Sequence, residues 1–319
     1  MTDTTINLPD LVGLFWSPLA HQATFSDFTT SAATSTDPLL QPVAAAVAPG
    51  LVEQKEYLRP NGLVYLPRSL MVDAVKKQDV TLMRESIAAG LTVLLYGEPG
   101  CGKTALVEAA FGEEMYTLQG TVETETADFV GSWVQQPDGT YLWVDGPLIR
   151  AAEEGKKLLV DEIALIDSRV MAVVYGMMDG RGELVVTQNP LRGAVQAKPG
   201  FAVIGACNPN VPGAQMSEAL LSRFVIHIEM NTDWGIATKL GVGSKIIQVT
   251  RNLVEQYKRG ELTQSPQLRE LIQFRDVAAQ FGENFALRNF ISQVRPENRA
   301  KAQAAVEAVF GTNVSPLTV

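Results

Sequence analysis

Gly97-Glu98-Pro99-Gly100-Cys101-Gly102-Lys103-Thr104 is the stretch on which the fold turns. It has the spacing G-x-x-x-x-G-K-[ST] and stands between an apolar run, Leu91–Tyr96, and a segment of helical spacing, Lys103–Phe111. The residue types follow from chemistry. Glycines let successive backbone N–H groups converge on phosphate oxygens, and the next helix contributes the positive end of its dipole. Lys103 can bridge the β- and γ-phosphates, and the Thr104 hydroxyl can hold Mg2+. The phosphate-holding stretch is read as Gly97 through Ala105. Glu98, Pro99 and Cys101 fill its variable positions, and Cys101 needs only its backbone there, so it is not a nucleophile.

Outward from this loop, apolar runs of strand length alternate with helical stretches. Strands are expected at Leu91–Tyr96, Met115–Leu118, Leu158–Val160, Phe201–Ala206 and Val225–Glu229. Helices are expected at Ser69–Ala89, Lys103–Phe111, Leu148–Glu154 and Asp167–Asp179. Short buried strands alternating with helices predict an α/β fold, a parallel sheet sandwiched by helices. Two hairpins interrupt it: Ser132–Val144, turning at Pro137-Asp138-Gly139, and Glu183–Ala197, turning near Asn189-Pro190. After Asn231 the periodicity is helical only, over Ser244–Arg259, Pro266–Phe281, Phe285–Val294 and Glu297–Phe310. The expected organisation is a low-complexity arm (1–50), an α/β nucleotide-binding domain (51–230) and a small all-α lid (231–319). Within the arm only Leu11–Trp16 has the composition to dock on anything.

Composition bounds the function. The chain has 319 residues, 46% hydrophobic and 19% charged, with mean hydropathy +0.07. This excludes wholesale disorder, collagen-like repeats and a disulfide-framed miniprotein. The net charge of −9 argues against a protein that lives on nucleic-acid phosphates, which needs a basic surface to displace counterions. The only basic spots of note are Lys156-Lys157 and the pair Arg192 and Lys198. Two cysteines, Cys101 and Cys207, make no disulfide framework, and the first eight residues lack a signal-peptide pattern. With no run of about 18 apolar residues, the expectation is a cytoplasmic protein without membrane insertion.

Leu158-Leu159-Val160-Asp161-Glu162 is an apolar strand ending in two carboxylates, placed where open α/β sheets bind ligands. Asp161 would hold Mg2+ through its water shell, and Glu162 would orient and deprotonate an attacking water. Of the other chemistry-bearing residues, His227 lies in an expected strand and reads as structural. His21 lies in the arm. No cysteine–histidine cluster suits zinc. Met171, Met177 and Met178 read as core fillers, and Trp133 and Trp143 as a pair across the first hairpin or as a partner-binding tip.

Together these residues resemble an AAA+ ATPase, in the branch that holds the MoxR-like ATPases, the Rubisco and nitric oxide reductase activators, the metal-chelatase ATPase subunits and dynein-related modules. The resemblance spans roughly residues 57–295. Thr126-Ala127-Asp128-Phe129-Val130-Gly131, with Asp138-Gly139 and Asp145-Gly146-Pro147-Leu148, is similar to the branch's insert in the second helix. Phe201 through Pro209 resembles the strand ending in the sensor 1 asparagine, here Asn208. Glu218-Ala219-Leu220-Leu221-Ser222-Arg223-Phe224 resembles the arginine-finger stretch, with Arg223 as the finger. Glu183–Lys198 occupies the place of a hairpin often aimed at a central pore. Ser265-Pro266-Gln267-Leu268-Arg269 resembles the sensor 2 region, with Ser265 expected as the helix cap and Arg269 as sensor 2. It departs from the pattern because Gln267 follows the proline directly, and Arg288 competes for the role. Arg59–Arg68 would pack near the base.

The resemblance implies ATP hydrolysis with Mg2+, a homo-oligomeric and hexameric ring in which Arg223 reaches a neighbour's nucleotide, and a protein client remodelled or activated in a chaperone-like way. Such ATPases often act alongside a protein with a von Willebrand factor A domain. From the residues alone, Asn208 could fix the lytic water or form an Asx turn with Pro209, and Arg223 could equally be a surface ion pair. Two other functions stay open: a nucleic-acid-stimulated motor or loader, and a nucleotide-dependent assembly switch with little turnover. ATP against GTP also stays open.

Overall fold

The computed structural model describes residues 5–7, 54–72 and 75–318. The expected docking stretch Leu11–Trp16 and the low-complexity run that follows lie outside the described residues. The chain divides into two compact units. One comprises Met1–Tyr96 with Leu106–Ile228, the other Gly97–Ala105 with Glu229–Val319.

In the first unit a five-stranded parallel sheet forms the centre. Numbering its strands in chain order, these are β1 (Val93–Tyr96), β2 (Met115–Gln119), β3 (Lys157–Asp161), β4 (Ala202–Cys207) and β5 (Ile226–Glu229). The spatial order is β5-β1-β4-β3-β2, with parallel ladders from β1 to β4, β4 to β3 and β3 to β2. Val93–Leu95, Leu158–Val160 and Val203–Cys207 are buried without alternation, as a sheet covered on both faces requires.

The covering helices include Lys103–Phe111, Thr126–Val130, Pro147–Glu154 and Ser168–Met178. Pro147 opens its helix, where a missing N–H costs nothing, and Gly155 closes it in the left-handed region at φ 72°. Phe129, Leu148, Ile149, Met171 and Val174 are fully buried on the sheet. Met171 and Met177 fill the core, and Met178 packs at its margin. Thr5–Asn7 pairs antiparallel with Gln215–Ser217, a strand the composition of the arm gave no reason to expect.

Both hairpins form where expected. Gly131–Gln135 pairs with Tyr141–Asp145, setting Trp133 opposite Trp143 with edge-to-face rings 5.6 Å apart. Glu183–Val185 pairs with Ala194–Gln196. The two hairpins are tied together: Trp133 Nε1 donates to the Gln188 carbonyl at 3.4 Å, and Arg192 bonds Asp145 at 3.2 Å.

The helix expected over Ser69–Ala89 is corrected. Only Asp79–Ala88 is helical, and Ser69–Val72 pairs with Val75–Gln78 as a hairpin. The cause is Asp79, which is buried. Its N–H donates to the Arg68 carbonyl (2.9 Å), and its carboxylate accepts from the Arg68 N–H (3.1 Å) and the Tyr65 hydroxyl (2.5 Å). Pinning residue 79 to residue 68 forces the chain between them to double back.

In the second unit, five helices follow the sheet: Trp234–Lys239, Ser244–Lys258, Leu268–Phe281, Glu283–Gln293 and Arg299–Phe310. Ile246, Leu253, Leu271, Ile291 and Val306 form their core, with Phe274 and Phe290 packed edge to face at 6.4 Å. The first of these helices lies outside the segments of helical periodicity, and Asp233 caps it by accepting from the Gly235 and Ile236 N–H groups.

Candidate nucleotide site

β1 ends at Tyr96 and runs into the glycine loop, and Lys103 is the first residue of the helix that follows. Gly97, Gly100 and Gly102 all have positive φ (152°, 82° and 99°). A Cβ on Gly100 would lie 2.9 Å from Arg269 Cβ, so this position must be glycine for the loop to lie against the start of Leu268–Phe281. Lys103 is only 6% exposed. Its Nζ donates to the Gly97 carbonyl (2.8 Å) and the Glu98 carbonyl (3.1 Å), with Cys101 Sγ 4.0 Å away. A buried ammonium held by loop carbonyls, beside a helix N-terminus, is a donor set that fits a polyphosphate. Cys101 is fully buried.

At the end of β3, Asp161 Oδ1 accepts from the Glu162 N–H at 3.0 Å. Glu162 has φ 50° and ψ 39°, the only non-glycine residue at positive φ among the described residues. Such a conformation costs about 1–3 kcal/mol and persists only where its surroundings over-determine it. Gly120 supplies part of that constraint. Its N–H donates to the Asp161 carbonyl at 2.7 Å, and a Cβ there would come within 2.8 Å of the Glu162 carbonyl oxygen. Nothing in the spacing singled out Gly120, because its role depends on the neighbouring strand.

Asn208 follows β4 and is 5% exposed. β4 lies beside β3 in parallel register, Val160 opposite Gly205. The acidic pair and Asn208 thus stand at the carboxyl ends of adjacent strands, where open α/β sheets place ligands. Asn208 Oδ1 accepts from the Asn210 N–H at 3.1 Å. The Asx turn therefore forms, and it engages the side-chain oxygen alone.

Arg223 follows the short helix Glu218–Leu221. Its Nε donates to Asp179 Oδ1 at 3.0 Å, its Nη1 to the Ala219 carbonyl at 2.6 Å, and its guanidinium lies 4.2 Å from the centre of the Tyr175 ring. Hydrogen bonds from Arg223 and, more weakly, Arg181 hold the Asp179 carboxyl below the usual aspartate range. Neither Tyr175 nor Asp179 was singled out in the sequence, because each lies more than forty residues from Arg223 along the chain.

Arg269 is the second residue of Leu268–Phe281 and is exposed. The capping expectation is corrected: the cap is Gln267, not Ser265. Gln267 exchanges side-chain bonds with Glu270 in a capping box, so Pro266 precedes the helix. Arg288 bonds the carbonyls of Ser315 and Pro316 at 3.2 and 3.3 Å. Among the basic spots, Lys156 pairs with Glu154 at 3.0 Å, and Arg192 pairs with both Asp145 and Glu153. His227 is exposed, and its Nε2 lies 2.9 Å from the Phe224 carbonyl.

A glycine loop leaving the first strand of a 5-1-4-3-2 sheet, with an acidic pair at the end of β3 and an asparagine at the end of β4, defines a P-loop nucleotide-binding protein of the AAA+ class. The AAA domain of the dynein-related subfamily matches residues 92–224, and the chain belongs to that family. It is 30% identical to the uncharacterized protein YojN of Bacillus subtilis over 68% of this chain and 77% of that protein. An uncharacterized protein of Staphylococcus epidermidis is 30% identical over 73% of this chain and 97% of its own length. NorQ of Paracoccus denitrificans is 32% identical over 47% of this chain, which spans about half of NorQ (54%). Among the described residues no helix is long and apolar enough to cross a membrane.

Proposed function

We propose that this protein is a Mg2+-dependent ATPase of MoxR type that assembles as a homo-oligomeric ring, hexameric in form, and uses hydrolysis to remodel or activate a protein client. The observation that carries the reading is the buried Lys103 ammonium in its three-glycine loop, a site shaped for a triphosphate. In this reading the backbone of Gly97–Ala105 and Lys103 bind the β- and γ-phosphates, and Thr104 and Asp161 hold the metal. Mg2+, when bound, offsets charge on the phosphate oxygens. Glu162 accepts a proton from water as that water's oxygen bonds to the γ-phosphorus and the bond to the β-phosphate oxygen breaks, releasing ADP. The Asn208 amide nitrogen orients the water. Arg223 of one subunit stabilises charge developing on a neighbour's nucleotide, and Arg269 does so from the lid.

Two points support a protein client over nucleic acid. The net charge is −9, and Lys156 and Arg192 are neutralised by carboxylates of their own chain. The likeness to NorQ and the wider MoxR resemblance favour an activator role, with a von Willebrand factor A domain protein as the companion. The test is phosphate release with and without DNA, together with capture of proteins on the Glu162→Gln variant. Strong DNA stimulation with a steep salt dependence would overturn the client reading.

A further inference from the structure

Glu98 fills a variable position of the phosphate loop and carries charge of the same sign as the ligand. A carboxylate there opposes a triphosphate by Coulomb repulsion, so its presence calls for a task other than phosphate contact. The contacts supply one. Glu98 Oε2 accepts from Gln267 Nε2 at 2.5 Å, and the Tyr257 hydroxyl favours the ionised form of the same carboxylate. Both residues belong to the helical lid: Tyr257 lies in Ser244–Lys258, and Gln267 caps Leu268–Phe281. Burial pushes the Glu98 carboxyl up, against the pull of Tyr257, Gln267 and Lys103.

Gln267 has no freedom to move independently of the helix it caps. It is 8% exposed. Its N–H donates to Glu270 Oε2 at 2.9 Å, Thr232 Oγ1 donates to its Oε1, and its Nε2 lies 3.2 Å from Ser265 Oγ. Two residues further on is Arg269, whose Cβ stands where a Cβ on Gly100 would collide with it. The side chain of Arg269 is exposed, and the helix start sets where it leaves the backbone.

We propose that Glu98 and Gln267 are positioning residues: their hydrogen bond registers the first turn of the lid helix on the phosphate loop, and through it places Arg269 for hydrolysis. The inference rests on the ATPase reading above. It assigns Glu98 a task that a phosphate-binding loop does not itself require, and it explains why a glutamine stands directly after Pro266. A glutamine can cap the helix and grip the carboxylate at once.

The test uses the full chain with Gln267→Leu, Glu98→Ala and the double variant. Misplacing one group by an ångström costs up to about a hundredfold in rate, so each single variant is expected to lower kcat roughly tenfold while KM for ATP moves by less than about threefold. The double variant should be no slower than the slower single one, the signature of a shared interaction. Glu98→Gln, which keeps an acceptor oxygen, should recover most of the rate. Multiplying losses, or a change in KM alone, would overturn the proposal. A second readout does not need turnover: amides at the start of Leu268–Phe281 should exchange hydrogen faster in Glu98→Ala than in the parent. Unchanged exchange sinks the latch even in a protein without ATPase activity. A parent that releases no phosphate but shows the exchange difference overturns the ATPase reading and spares the latch.

Discussion

Arg223 and Asp179 form an ion pair, Nε to Oδ1 at 3.0 Å, with the guanidinium stacked on Tyr175 and braced on the Ala219 carbonyl. Holding a guanidinium at three points removes rotamer freedom in advance, which is how a group meant to meet developing charge becomes effective. An arginine finger of this kind is worth about 10³–10⁵ in rate where it operates. Arg223→Ala should therefore cut turnover by at least roughly a hundredfold, with nucleotide affinity little changed. Mixing Arg223→Ala with Lys103→Ala subunits should restore part of the activity, measured as phosphate release. No rescue would argue that Arg223 acts within its own subunit. Asp179→Asn, which keeps the shape and removes the charge, should give a smaller loss than Arg223→Ala.

Glu162 sits in the left-handed region at φ 50°. As a general base it contributes about 10²–10⁴ to the rate, so Glu162→Gln should lower turnover by at least about a hundredfold and leave ATP bound. Filter-retained ATP after single-turnover mixing measures the trap, and near-normal phosphate release would refute the assignment.

Gly120→Ala tests the backing of that residue. The added methyl would meet the Glu162 and Asp161 carbonyl oxygens at 2.8 and 2.9 Å. These are backbone atoms that cannot swing aside, so the change should destabilise the fold by about 1–3 kcal/mol and slow turnover in the folded fraction. Urea melts and the specific rate check the two effects, and a variant with parental stability and rate would contradict this account.

Much of this was legible in the sequence because it was local. The core strands, the phosphate loop with its helix, and the two hairpins are each specified by residues near one another in the chain. What escaped notice depended on partners brought in by the fold. Leu70, Met71 and Val75 suit a helix as well as a hairpin, and the bond from Asp79 back to Arg68 decides between them. Pro266 and Ser265 resemble a helix start, but Gln267 displaces Ser265 because it has Glu270 and Glu98 to bind. Tyr175 and Asp179 could be tied to Arg223 only once Ser168–Met178 had packed against Glu218–Leu221, where the Tyr175 and Ser217 hydroxyls lie 3.1 Å apart.

Asp79 gives a pH prediction. Burial, the largest influence, raises its carboxyl above the ordinary aspartate value against hydrogen bonds from Tyr65 and the backbone and the charge of Arg68. The unfolded chain then ionises first as pH rises. This group's stabilising contribution is complete below the unfolded pKa and is lost as pH climbs through the folded one. Asp79→Asn removes that loss, so the Tm of the variant relative to the parent should be more favourable at pH 7 than at pH 4.5. A relative Tm that is worse at pH 7 would contradict the sign.

The account depends most on a triphosphate being bound and cleaved at Gly97–Thr104. The direct measurement is the rate of inorganic phosphate release from Mg2+-ATP by the full chain, beside Lys103→Ala and Glu162→Gln. The predicted result is steady release by the parent, no nucleotide binding by Lys103→Ala, and retained ATP without release by Glu162→Gln. Release that survives Lys103→Ala, or a parent that neither binds nor cleaves ATP, would contradict it.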